Sequence, residues 1–302
     1  MSHDALDTTR QHAYVSTPYR RLLVKIVVSL KQVADPDNAN KVKVSPDGKA
    51  ITTEGLQSKV NPFDEYALEA ALRLNENAKT AESLGETIVV SIGPSESRQA
   101  IRQALAMGAA RAVFVEADDS KLDSFVVARA LKLVIEKEKP DVVLMGKQTV
   151  DSESGTVGSI VAELLGWPIV SFAMRVATTD GGKTLTVGRE CDIGILTVKV
   201  QGPVILTVSD RILQPKAVSN GVTPPDHAYP ESDSGRLPSL KGIMAAKKKP
   251  VEELVLSSLG IEAQPTTQYG NFALPPARSG QTKFVESVED LVQKLRTEAK
   301  AL

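Results

Sequence analysis

Cysteine is nearly absent: Cys191 is the one thiol in 302 residues. A single cysteine excludes an internal disulfide framework and suits a reducing compartment. Histidine is almost as scarce. His3 and His12 lie near the start, and His227 lies in the proline-rich stretch NGVTPPDHAYPESDSG, so none falls in a segment with helix or strand periodicity. Without Cys or His clustering there is no transition-metal site to propose, and acid–base chemistry would fall to carboxylates or lysines. Aromatics make up 4%, which leaves few platforms for stacking single-stranded bases. The net charge of −1 gives no global field to recruit nucleic acid or a membrane surface. No apolar run approaches the ~20 residues that a membrane span needs. The opening MSHDALDTTRQHAYVSTPYRR lacks the apolar centre of a signal peptide, and Asp4 and Asp7 have the wrong sign for a transit peptide. Residues 1–22 are read as a disordered extension.

What is present is enough apolar residue, 42%, to build one large core or two modest ones. From Val24 to about Ser209 strand and helix patterns alternate. VKIVVSLKQ, ETIVVSIG, RAVFVEA and DVVLMG read as buried strands. NPFDEYALEAALRLNENA, SESRQAIRQALAMG and DSFVVARALKLVIEKEK read as amphipathic helices. SPDGKAITT reads as a small hairpin around Asp47-Gly48. After Trp167, expected in the core, four strand patterns follow without helices: IVSFAMRVATT, KTLTVGREC, GILTVKVQ and PVILTVS. The expected fold is α/β, a mostly parallel sheet flanked by helices with antiparallel strands at one edge. Beyond Ser209 regularity fails. The expected organisation is a nucleotide-binding α/β domain over 23–214, a proline-rich insertion over 215–235, and a partner-recognition loop with an extended C-terminal arm over 236–302.

In open parallel α/β sheets, ligands sit at the carboxyl ends of the strands. The first strand ends at Ser29 to Gln32, another at Ile92-Gly93, and DVVLMG at Gly146. Gly146 opens a polar loop of Lys147, Gln148, Thr149, Val150, Asp151, Ser152, Glu153, Ser154, Gly155 and Thr156 before a helical pattern starts at Val157. Two readings stand for that loop. Its hydroxyls and the free N–H groups of the helix start could hold an anion such as a phosphate, with Lys147 offsetting the Asp151 charge. Alternatively, Asp151 or Ser154 caps the helix and no ligand is involved. At NPFDE, Asn61 fits a helix N-cap, Pro62 the first helical position, and Asp64 the positive end of the helix dipole. AAKKKP is a solvated basic run or a docking site for an acidic partner.

Taken together, VKIVVSLKQV, VNPFDEYALEAALRL, ALAMGAARAV, PDVVLMGKQTVDSESGTVG, LLGWPIVSF, VGRECDIG, PVILTVSD and SLKGIMAAKKKP resemble, in order and over about residues 24–250, the β subunits of electron transfer flavoproteins, the FixA-type family. The resemblance implies an adenine-nucleotide-binding, Rossmann-like fold. It implies a heterodimer with an α subunit that holds most of the redox FAD. It implies a structural AMP in this subunit, or a second FAD in bifurcating members. Electrons would come from acyl-CoA or other dehydrogenases and pass to a quinone oxidoreductase or another acceptor. The setting would be a bacterial cytoplasm or a mitochondrial matrix, with no nucleic acid and no insertion into a membrane.

By motif, the nucleotide would touch Ser29, Asn61, Pro62, Phe63, Asp64, Ile92 and the loop from Gly146 through Val157. The partner-recognition segment would be RLPSLKGIMAAKKK, with Leu240 as apolar anchor beside Ile243, Met244, Lys247 and Lys248. Glu190 would face the flavin domain of the α subunit. Thr156 stands where many members carry a side-chain amide, which shifts phosphate contact toward backbone N–H groups. The subunit would then be an electron carrier without its own active site. The rivals are an adenylating or nucleotide-hydrolysing enzyme of the same architecture and a nucleotide-sensing module. The enzyme reading lacks a Walker-type GxxxxGK[ST].

Overall fold

The computed structural model describes residues 24–229, 234–276 and 282–302. The 1–22 extension lies outside them. The described residues form two compact units, one up to Lys41 with Thr53–Gln268, the other Val42–Thr52 with Tyr269–Leu302.

The first unit begins with β1 (Lys25–Leu30) and β2 (Gln32–Ala34). The hairpin β3 (Lys43–Val44) and β4 (Ile51–Thr52) belongs to the second unit. Then come β5 (Ser58–Val60), α1 (Pro62–Leu74), β6 (Glu76–Asn77), β7 (Glu82–Ser83) and β8 (Glu86–Gly93). Next are α2 (Arg98–Met107), β9 (Arg111–Glu116), α3 (Ser124–Glu138), β10 (Val142–Gly146) and α4 (Val157–Leu165). The antiparallel part follows: β11 (Ile169–Ala177), β12 (Thr184–Cys191) and β13 (Gly194–Gln201), then β14 (Val204–Val208) and β15 (Val218–Ser219). The last elements are α5 (Leu240–Ala246), β16 (Val251–Val255) and, in the second unit, α6 (Val288–Thr297).

The main sheet has the order β13-β12-β11-β14-β10-β1-β8-β9-β16, with β15 beside β11. All pairings are parallel except β11 with β12 and β12 with β13. Central strands covered on both faces must be apolar throughout, and β14, VILTV, is buried at every position. One face packs Ile26, Val28, Leu144 and Leu206 with the apolar sides of α1 and α2. The other packs Val27, Ile88, Val143 and Ile205 with α3 and α4.

Two features depart from the sequence expectations. VEELV, from the stretch expected to lack regularity, is β16 and extends the sheet in parallel beside β9. Trp167 is half-buried rather than in the core. The proline-rich stretch is tied down where it is described. Asn220 Nδ2 donates to the carbonyl oxygens of Arg73 (3.0 Å), Leu74 (3.3 Å) and Glu76 (2.7 Å), so one amide satisfies carbonyls that the end of α1 leaves open. The Tyr229 ring lies 4.2 Å from the Arg73 guanidinium carbon.

The same helix carries a buried ion cluster. Glu69 has no exposed surface. It accepts from Arg73 Nε at 2.8 Å and from Arg236 Nε at 2.8 Å, and Arg236 also donates to Glu76 at 2.7 Å. Burial works to raise the Glu69 carboxyl, but Arg236 and Arg73 hold it below the usual carboxylate range. In the second unit, α6 is capped by Ser287, whose Oγ accepts from Asp290 N at 3.1 Å. None of its residues is buried, and Val288 and Leu291 are exposed.

Removing Arg236 leaves a buried carboxylate short of a partner, which costs about 3 kcal/mol when a buried pair is broken. Arg236→Met is expected to lower unfolding stability by that order in denaturant titrations. The double variant Glu69→Gln with Arg236→Met should recover part of the loss, and a double variant worse than the sum of the singles would contradict the pairing.

Candidate functional site

The carboxyl ends of β1, β8 and β10 lie side by side in the sheet, and the start of α1 is fastened to two of them. Asn61 occupies the N-cap position of α1 as expected, but its side chain makes no capping bond. It reaches across the chain instead. Nδ2 donates to Gln148 O at 2.9 Å, and Oδ1 accepts from Val150 N at 3.1 Å. Its backbone N–H bonds to Lys31 O at 2.9 Å.

Asp64 does more than oppose the helix dipole. It is buried, and its two carboxylate oxygens accept from Lys31 N at 2.8 Å and Gly146 N at 3.1 Å. Desolvation pushes its carboxyl up to about 7, against the pull of the Lys31, Asn61 and Gly146 hydrogen bonds. Gly146 has to be glycine for a steric reason. A Cβ there would lie 2.5 Å from Asp64 Oδ1 and 2.7 Å from Phe63 Cβ.

From Gly146 the loop runs out into solvent, and residues 151–156 are all exposed. Two of its backbone positions lie in the left-handed region, Glu153 at φ +53° and Gly155 at φ +59°. At Gly155 a side chain would be strained, and its Cβ would sit 3.1 Å from Lys147 O. Thr156 stands at the N-cap of α4 without a side-chain capping bond. Neither Asp151 nor Ser154 caps that helix. Asp151 instead accepts from Lys31 Nζ at 2.7 Å and from Thr149 Oγ1 at 2.6 Å. Partial desolvation of its side chain works to raise its carboxyl, but Lys31 and Thr149 hold it below the usual range.

The cation that offsets Asp151 is thus Lys31, not Lys147 as expected. Lys147 Nζ lies 5.0 Å from the centre of the Phe63 ring and 5.9 Å from that of Phe172, within cation–π range. Phe172 is half-exposed at φ +57°, where bulky residues are outliers. It sits in a break of register in β11, and its N–H bonds to Thr207 Oγ1 at 3.2 Å. Lys31 and Phe172 were not picked out from the sequence. The signal for Lys31 was present: a carboxylate in a loop after a buried strand needs a cation, and Lys31 directly follows the neighbouring buried strand.

The structure brings Asn61, Phe63 and Asp64 against Gly146, Lys147, Gln148 and Val150. Ser29 and Ile92 are half-buried at the neighbouring strand ends, Ile92 on the face covered by α3 and α4. The partner-side residues lie elsewhere. Leu240, Ile243 and Met244 are exposed on α5, which packs on α2. Arg236 precedes α5, and Lys249 follows it, donating to Leu105 O (2.8 Å) and Ala109 O (2.6 Å). Lys247 and Lys248 are exposed. Glu190 lies toward the opposite edge of the sheet on β12, bonded to Arg211 Nη1 at 2.9 Å. The β12–β13 turn beyond it exposes Ile193, Ile195 and Leu196.

Comparison with known proteins gives consistent matches. A model of the electron transfer flavoprotein domain matches residues 49–259. The chain is 36% identical over 279 residues to the electron transfer flavoprotein subunit beta of Bradyrhizobium diazoefficiens, covering 92% of this chain and 100% of that one. It is 35% identical over 276 residues to the mitochondrial subunit beta of Arabidopsis thaliana, covering 91% and 99%. It is 36% identical over 276 residues to the subunit beta of Homo sapiens, covering 90% and 97%.

The buried Asp64 carboxyl sets a pH dependence. An unfolded aspartate titrates near 4, and the folded value is about 7. The folded state therefore holds this proton more tightly. The stability it contributes is complete below about pH 4 and is lost as pH rises through 7, by at most about 4 kcal/mol. Asp64→Asn is expected to flatten the stability profile between pH 5 and 8 in denaturant titrations. An unchanged slope would assign the titration to another group.

Proposed function

The chain belongs to the electron transfer flavoprotein β-subunit family, and on that footing we propose that it is the nucleotide-holding half of a heterodimer that carries electrons between dehydrogenases and a downstream acceptor. The observation that carries this reading is the loop from Gly146 to Val157. It leaves β10 at a glycine packed against the start of α1, is clamped there by Asn61, and reaches α4 without a side-chain cap. Uncapped N–H groups at a helix start and a backbone open to close approach suit a phosphate. The adenine nucleotide proposed is AMP, with Ser29, Ile92, Asn61 to Asp64 and the loop around it.

In this reading the redox FAD sits mainly on the α subunit, and this subunit has no active site of its own. Exposed apolar residues support a partner-bound state, since large apolar patches on a folded chain mark interfaces. Ile193, Ile195 and Leu196 on the β12–β13 hairpin, and Phe284, Val288 and Leu291 in the C-terminal arm, are exposed. We assign them to the α subunit. Leu240, at 75% exposure, is assigned to the dehydrogenase, for example an acyl-CoA dehydrogenase, and a quinone oxidoreductase is the proposed acceptor. The proposed setting is a reducing compartment, bacterial cytoplasm or mitochondrial matrix, in keeping with the single cysteine.

The direct test is to purify the chain with its α partner, denature the complex and identify what is released. One FAD and one AMP per dimer is expected. Two FAD would replace the AMP assignment with a second flavin, and no adenine nucleotide beyond one FAD would remove the site.

Gly155→Val should empty the site, because a branched side chain is strained at positive φ and intrudes on the loop. Full occupancy with an unchanged melting temperature would take this loop out of the binding site. Leu240→Ala should slow electron transfer from the dehydrogenase by the equivalent of about 1–3 kcal/mol, the cost of truncating an apolar anchor. Nucleotide content should stay the same, and normal transfer rates would move the dehydrogenase contact off α5.

A further inference from the structure

The loop from Gly146 to Val157 has three attachments of different kinds. Lys147 N bonds to Val208 O at 2.9 Å, continuing the sheet. Asn61 holds Gln148 and Val150 from the buried start of α1. Asp151 is held by Lys31, whose side chain is 40% exposed against 35% for its partner. The residues after it, Ser152 to Thr156, are exposed and lead directly into α4. The Lys31–Asp151 pair is therefore the outermost tie before the stretch that carries the loop's hydroxyls and the left-handed Gly155. The pair also faces an electrostatic problem. A carboxylate beside a bound phosphate repels it, and like charges at a few ångströms disfavour each other strongly when partly desolvated.

We propose that Lys31 is a positioning residue that latches this loop over the phosphate of the bound adenine nucleotide, by pairing with Asp151 and cancelling its charge. This rests on the nucleotide-binding reading above. Lys31 lies one residue beyond β1, and its backbone is already fixed on both sides, its N–H to Asp64 and its C=O to the N–H of Asn61. Its side chain thus starts from a rigid point. Asp151 is oriented in turn by Thr149 Oγ1, which also lies 3.0 Å from Ser152 Oγ. The pair joins the end of β1 to the outer loop, two parts of the chain otherwise connected there through Asn61 and Asp64. Opening the loop to release nucleotide would separate the two charges.

Two consequences distinguish a charge-cancelling latch from a merely structural lysine. Losing Lys31 opens the tie and also leaves the Asp151 charge facing the phosphate, so both effects hasten release. Losing Asp151 opens the tie but removes the repulsion. Replacing both should then be milder than replacing Lys31 alone, which is the reverse of what two independent structural contributions give.

The test uses the heterodimer with its α subunit, loaded with radiolabelled AMP and chased with unlabelled AMP. Lys31→Met is expected to raise the release rate about five- to tenfold, at the upper end for a partly exposed pair because repulsion adds to the lost tie. Lys31→Arg should stay within about twofold of the natural protein. Lys31→Met with Asp151→Asn should release more slowly than Lys31→Met alone. Melting of the nucleotide-free complexes, checked by circular dichroism, should be unchanged across the set.

A release rate for Lys31→Met within twofold of the natural protein would overturn the latch, as would a double variant at least as fast as that single one. A lowered melting temperature in the nucleotide-free Lys31→Met complex would overturn it too, by giving the lysine a role in the fold. Should the natural complex hold no adenine nucleotide in this subunit, the binding reading itself fails, and the latch falls with it. Retained nucleotide with unaltered release sinks the latch alone.

Discussion

The candidate site depends on one buried carboxylate. Asp64, on the first turn of α1, accepts the N–H of Lys31 at the end of β1 and the N–H of Gly146 at the end of β10. Those two strands are neighbours in the sheet, and both finish where their backbone N–H groups would otherwise go unpaired. A buried N–H without a partner is costly. Asp64 satisfies both with one side chain and pins the helix start to both strand ends. The burial that makes this geometry rigid also raises the carboxyl to about 7, so the tie is held against the group's own preference for water. Gly146 follows from the same constraint, because no side chain fits between Asp64 and Phe63.

Asn61 and Lys31 extend this tie outward. Asn61 gives up the capping bond expected of it and spends both ends of its amide on the loop, at Gln148 and Val150. Lys31, fixed through its backbone by Asp64 and Asn61, carries the connection on to Asp151. The loop is thus graded, held by backbone bonds near the sheet, by a buried amide further out, and by an ion pair at its exposed part. A second graded arrangement surrounds α5. Arg236 anchors the chain before it on the buried Glu69, and Lys249 anchors the chain after it on the carbonyls ending α2. Between those anchors Leu240 and Met244 stay exposed. The chain on either side of α5 is thus held by half-buried charges while the apolar side chains of the helix stay in water.

Much of this was legible. The central strands β1, β8, β9, β10 and β14, the antiparallel β11, β12 and β13, and the hairpin at Asp47-Gly48 follow from apolar periodicity and turn residues, which are local properties. The strand ends that carry the candidate site were legible for the same reason, as glycines and hydroxyls placed after buried strands. Less was visible where a residue's partner is far away in the chain. Asn61 reads as a cap because a cap is what its neighbours allow; its real partners are 87 and 89 residues away. Val251–Val255 shows no apolar alternation because, as an edge strand beside β9, it half-buries Glu252 and Leu254 and leaves Val251 and Val255 exposed. Trp167 was expected inside the core and is half-buried at the turn into β11.

The sequence by itself determined which segments could form a parallel core, because residues covered on both faces must be apolar and β-branched residues suit that setting. It also determined where glycine and hydroxyl residues follow those strands. Only the tertiary structure decided which charges meet. Lys31 and Lys147 are equally good candidates to offset Asp151 on paper, one being 120 residues away and the other four. The fold gives Asp151 to Lys31, because Asp64 and Asn61 fix the end of β1 beside the loop, and it turns Lys147 toward Phe63 and Phe172 instead. Apolar burial acts through composition and period, which a linear chain displays. An ion pair acts over a few ångströms, and that distance exists only once the strands are side by side.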